Sequence, residues 1–158
     1  MVAWTFFAFA AVMALWYSVR FCHAGPSRAK TSVKTISVGA LALTALAAGA
    51  PPLVTLGLVL GAAGDFFLSI RGEKAFLAGM AAFAGGHLAY AAAFVAAGGG
   101  MPGAPLLVPL AVIGLSTEVW LAPHTGALRW PVRGYVLVIL VMAAAAFGLP
   151  FGAVTPGA

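Results

Sequence analysis

The sequence contains no asparagine and no glutamine, one cysteine and three acidic residues. Charged side chains make up 7% of its 158 residues, whereas a soluble globular domain carries about a quarter. That scarcity leaves too little polar surface for a water-soluble fold. Disorder is excluded as well, because it requires low hydrophobicity and high charge, and this chain is 63% hydrophobic. The single cysteine, Cys22, rules out an internal disulfide and a multi-cysteine zinc site. An integral membrane protein is the class that remains.

Runs such as Leu137-Val138-Ile139-Leu140-Val141-Met142 do not alternate in polarity, as the strands of a membrane barrel must. The expected fold is therefore all-α, a polytopic bundle of transmembrane helices in a single membrane domain. A spanning helix takes about 20 apolar residues, which limits the chain to about six. Breaks at charge, proline and glycine place the six at about 2–19, 33–50, 53–70, 75–97, 105–121 and 134–151.

Basic residues fall in alternate gaps between these runs. Arg20, Arg28, Lys30 and Lys34 precede or open the second, Arg71 and Lys74 separate the third and fourth, and Arg129 and Arg133 separate the fifth and sixth. These are all eight of the chain's lysines and arginines. Cytoplasmic loops collect such residues, so the expected topology has both termini outside and the basic loops inside. The net charge of +5 is then topological, and no nucleic-acid partner is expected. The first apolar run lacks a preceding basic residue and a clear cleavage site, so it reads as a span instead of a removed signal. The amide-free, Ala/Gly/Val-rich composition points to a GC-rich bacterial genome and to the plasma membrane.

Chemistry within the spans is confined to few residues. Glu73 is a loop acid, and Glu118 lies near the inner end of the fifth run, where a long side chain reaches the interface. Asp65 is six residues before Arg71, about 9 Å along a helix, and a short acid at such depth is costly and rarely faces lipid. Gly57, Gly61 and Asp65 are four residues apart and share a helix face. Small residues at that spacing admit a close neighbouring helix or a second copy of the chain. Either a functional acid or a buried pair with Lys34 accounts for Asp65. On the fourth run, Phe76, Gly79, Phe83, His87 and Tyr90 form a stripe, whose His and Tyr either hold a polar ligand or join helices by a hydrogen bond. His87 sits some 10 Å deeper than Asp65, a separation that a long amphiphile would span. No metal-ligand spacing, nucleophile elbow or phosphate-binding loop occurs, and no metal or cofactor is expected.

Lys34, the run Gly64-Asp65-Phe66-Phe67-Leu68, and the stripe Phe76, Gly79, Phe83, His87 and Tyr90 together resemble the YhhN-like lysoplasmalogenase family of membrane hydrolases. Tyr135 with Met142 is a weaker match. The resemblance implies hydrolysis of the vinyl ether bond of lysoplasmalogens to a fatty aldehyde and a glycerophospho-ethanolamine or -choline. It implies Asp65 as the catalytic acid, and Lys34, His87, Tyr90 and Tyr135 as substrate-binding residues. Hydrocarbon burial favours a neutral acid over a carboxylate, which suits a proton donor. Two departures stand out: Thr35 follows Lys34 where the family often has proline, and the family has about eight spans with a later Ser-Asp motif. A chain ending at Pro156-Gly157-Ala158 stops about where that motif is expected, so the resemblance implies a truncated and inactive form as well as an active one. The alternative reading is a small amphiphile transporter or a non-catalytic membrane subunit. The first run has no acid of the kind small multidrug transporters use, and no inverted repeat is visible.

Overall fold

A capping serine and a series of proline and glycine breaks set the helix boundaries. The computed structural model describes residues 1–150, and every regular element among them is helical. Helix α1 (Val2–Trp16) runs on into a π-helical turn over Tyr17–Phe21. Ser27 opens α2 (Arg28–Ala47): its backbone is extended and its Oγ accepts the N–H of Lys30 at 3.1 Å, satisfying one of the first-turn donors. Gly49, at φ +70°, reverses the chain. Pro52 then begins α3 (Pro52–Leu68) at the position where a missing N–H is not needed. A bend through Gly72 leads to α4 (Glu73–Ala96), followed by α5 (Ala104–Trp120), two short 3₁₀ turns, and α6 (Arg129–Phe147). The last residue of the expected sixth run, Phe151, and the chain end at Pro156-Gly157-Ala158 lie outside the described residues.

Contacts divide the chain into two compact units, the first Met1–Ala89 and the second from Tyr90 on, with the boundary inside α4. In the first, the buried positions are small. Ala10 of α1 and Val33, Ser37 and Ala40 of α2 are buried, and the Ser37 hydroxyl donates to the Ala10 carbonyl at 3.2 Å. Helix α4 lies against α3 through glycine: a Cβ at Gly86 would sit 3.0 Å from the Gly57 carbonyl oxygen, and one at Gly79 would meet Leu68 at 2.8 Å. Such backbone approach is how helices associate where lipid removes any hydrophobic drive between them. No large side chain among the described residues is fully buried, while Trp4, Val19, Leu46, Leu115, Val119 and Trp130 are all more than half exposed. Small inside and large apolar outside is a surface made for acyl chains.

The span count is corrected by the structure. Among the described residues there are six α-helices, but only four helical segments are long and apolar enough to cross a bilayer: Val2–Phe21, Glu73–Ala96, Ala104–His124 and Gly126–Phe147. Helix α2 has 20 residues, but Arg28, Lys30 and Lys34 occupy its first two turns. Helix α3 has 17 residues, about 25 Å at 1.5 Å per residue, against a hydrocarbon core of about 30 Å. The expected runs 33–50 and 53–70 counted the loop residues 48–50 and 69–70 as helix and left out the charged first turn of α2. The four long apolar helices make the protein an integral membrane protein.

In the second unit, α5 and α6 are tied by charge. Arg133 Nε donates to both Glu118 oxygens at 2.9 Å, Nη2 donates to Oε2 as well, and the guanidinium lies 4.9 Å from the Trp130 ring centre. Glu118 thus reaches a specific partner, in a bidentate geometry that a lysine would not reproduce. Glu118→Arg or Arg133→Glu alone places like charges together and is expected to lower the melting temperature in detergent. The double exchange restores most of it, as a thermal-unfolding cycle would read.

Candidate functional site

Helices α2 and α3 run antiparallel, and the glycine stripe of α3 sets what meets what. At Gly61 a Cβ would lie 3.7 Å from Val38 Cγ1. One turn further along each helix, Lys34 Nζ stands 2.7 Å from Asp65 Oδ1. Asp65 is 6% exposed, whereas the Lys34 side chain is 38% exposed. The acid is therefore inside the first unit, and the lysine reaches it from the surface. Gly64, the next residue back, is where α4 closes in: a Cβ there would fall 2.6 Å from the Phe83 ring. A larger residue at 64 would push α4 away from the turn that holds the acid. Ser69 donates its hydroxyl to the Asp65 backbone carbonyl at 2.8 Å, completing the helix end.

His87 is oriented by its own helix. Its Nδ1 donates to the Phe83 carbonyl at 2.6 Å, so in the neutral ring the lone pair is on Nε2. The α3–α4 register pairs Leu68 with Gly79, Gly64 with Phe83, and Gly57 with Gly86. His87 is accordingly level with Gly57, eight residues or about 12 Å along α3 from Asp65. Phe76, first in the aromatic stripe, is 39% exposed. The expected site residues divide between the units: Lys34, Asp65 and His87 belong to the first, and Tyr90 and Tyr135, each part-buried, to the second.

Next to the ion pair is a cleft of about 370 Å³ between the end of α1, the start of α2 and the end of α3. Its walls include the cations Lys30, Lys34 and Arg71 and the hydroxyls of Tyr17, Thr31 and Ser69. Tyr17 is the first residue of the π-helical turn, a distortion that often marks functional sites. Lys30 is held in place: its Nζ donates to the Ala24 carbonyl at 2.7 Å and lies 5.8 Å from the Tyr17 ring centre. Sequence reading overlooked this cleft. Its one signal is the crowding of Arg28, Lys30 and Lys34 at the start of a helix, where topology accounts for the charge and the family resemblance gives a substrate-binding role to Lys34 alone.

The sequence matches the YhhN family over residues 29–157. The protein belongs to that family. Neither the curated proteins nor the solved structures provide a match. The YhhN match begins in the first turn of α2 and so takes in Lys34, Asp65, His87, Tyr90 and Tyr135, while α1 with its π-helical turn precedes it. Within this YhhN-family chain, no group of three or more His, Cys, Asp or Glu among the described residues is placed to hold a metal ion. What the arrangement offers chemically is one sheltered carboxyl group, a lysine in contact with it, and a cationic cleft alongside.

Proposed function

We propose that this YhhN-family protein is a membrane hydrolase that cleaves the vinyl ether bond of lysoplasmalogens, releasing a fatty aldehyde and glycerophospho-ethanolamine or -choline. The observation that carries the reading is the buried Asp65 in contact with Lys34 at 2.7 Å. Vinyl ether cleavage begins with a proton added to the alkene carbon remote from oxygen, which leaves an oxocarbenium ion. Water adds to the cationic carbon, giving a hemiacetal, and loss of the glycerol oxygen as an alcohol yields the aldehyde. One acid and one base suffice.

Asp65 takes both parts. Its carboxyl group, in contact with Lys34 at 2.7 Å, is the proton donor. After protonating the alkene carbon, the carboxylate removes a proton from the attacking water and is ready to assist collapse of the hemiacetal. Lys34 steadies the carboxylate while it is charged. His87 does not serve as the base, because the two reacting carbons are adjacent and His87 is about 12 Å from Asp65 along the helix. It lines the path of the alkenyl chain within the first unit.

We place the basic helix ends on the cytoplasmic side of a bacterial plasma membrane. Four crossings, an even number, keep both termini on the opposite side. The defining assay supplies purified protein in detergent with a lysoplasmalogen and, separately, with the saturated 1-alkyl analogue. Aldehyde is expected from the first and none from the second; equal inertness toward both from a folded protein contradicts the reading.

A further inference from the structure

Six of the eight basic residues, Arg20, Arg28, Lys30, Lys34, Arg71 and Lys74, belong to one end of the first unit, because α1 and α3 finish there while α2 and α4 begin there. Three of them line the cleft, and Asp65, paired with Lys34, is the sole acid among the described residues in contact with any of the three. Glu73 is two residues from Arg71, yet no ion pair joins them among the described residues. The cleft thus presents an excess of positive charge to whatever enters it. The Ala24 carbonyl fixes the Lys30 ammonium, so little ordering is left to the ligand.

From this we infer that the cleft binds a phosphate group, with Lys30 and Arg71 as its cationic contacts. A doubly substituted phosphate carries one negative charge and accepts several charge-assisted hydrogen bonds, which matches two cations with no acidic partner among the described residues better than a carboxylate or a neutral sugar would. The inference rests on the hydrolase reading for what is attached to the phosphate, and there it makes the phosphate the anchor that brings the adjoining vinyl ether toward Asp65. The alkenyl chain does not continue into the apolar groove lined by Phe6, Phe9, Ile36 and Leu43. Leu43 is nine residues from Lys34, about two and a half turns, so the groove opens on the opposite side of α2.

The test measures binding apart from chemistry. Full-length protein in a phosphate-free detergent is titrated with a saturated 1-alkyl lysophosphoethanolamine, which cannot be hydrolysed as a vinyl ether, and with 1-alkylglycerol, inorganic phosphate and glycerophosphoethanolamine. Arg71 makes no hydrogen bond or ion pair among the described residues, so Arg71→Ala leaves folding unchanged; Lys30→Met is checked by thermal unfolding. Each substitution is expected to weaken the lysophospholipid about tenfold, the size of one charge-assisted contact, and Arg71→Lys recovers part of the loss. Binding of 1-alkylglycerol is expected to be weak and unchanged by either substitution. Equal affinity for the lysolipid and for the two water-soluble phosphates identifies a free phosphoester as the ligand, and preference for the lysolipid identifies a lipid headgroup. Wild-type affinity for every phosphate probe in both variants overturns the inference. Phosphate-dependent binding without aldehyde release from a lysoplasmalogen removes only the hydrolase reading, and aldehyde release with an unchanged KM in both variants removes only the phosphate site.

Discussion

Asp65→Asn is expected to reduce aldehyde release from a lysoplasmalogen by about 100-fold or more, the contribution of a general acid. An amide matches the carboxyl group in size but cannot give a proton to carbon. The substitution leaves the Lys34 ammonium without its counter-charge, but that side chain is 38% exposed and can be solvated, so the fold survives. Thermal unfolding in detergent checks this directly. Asp65→Glu keeps the acid on a longer arm and is expected to retain part of the rate. Lys34→Met removes the partner while leaving the proton donor, so its loss should be smaller than that of Asp65→Asn. A Lys34→Met variant slower than Asp65→Asn would transfer the central role to the lysine.

Gly64→Ala is expected to destabilise the protein by about 1–3 kcal/mol, the usual cost of overpacking. The new methyl would fall 2.6 Å from the Phe83 ring, and either the ring or the whole of α4 must move. Activity should fall with stability, because Gly64 adjoins Asp65 on the helix. Phe83→Leu combined with Gly64→Ala replaces a planar ring with a smaller side chain and is expected to recover part of both. Gly39, inside α2, provides the contrast. Nothing lies within 4 Å of a Cβ built there, so Gly39→Ala meets no obstacle and gains helix propensity of about 0.5–1 kcal/mol. Opposite signs for two Gly→Ala changes in neighbouring helices, read as melting temperatures, separate close approach from mere helix composition.

The helical class and membrane setting were legible because they follow from bulk composition, which tertiary context cannot reverse. The inward orientation of Asp65 was legible for a related reason: a period of four through Gly57, Gly61 and Asp65 fixes one face, and a face of glycines must meet another helix. The number of crossing helices was not. An apolar run does not reveal where its helix starts, and in α2 the start at Ser27 draws three cations into the first two turns. The π-helical turn at Tyr17–Phe21 carries no proline or glycine to announce it, so the wall it contributes to the cleft could not be anticipated. The partner of Glu118 was hidden as well, since which of two nearby arginines it reaches depends on the turn between α5 and α6. His87 shows how far spacing can go: its face on α4 was readable, while its bond to the Phe83 carbonyl and its level opposite Gly57 required the α3–α4 register.

Hydrolysis of a lysoplasmalogen in deuterated water, followed by mass analysis of the aldehyde, tests the proton donation most directly. The account predicts one deuterium on the carbon next to the aldehyde group in the wild-type product, and no aldehyde above background from folded Asp65→Asn. Aldehyde lacking that deuterium, or labelled aldehyde formed equally fast by the variant, would contradict it.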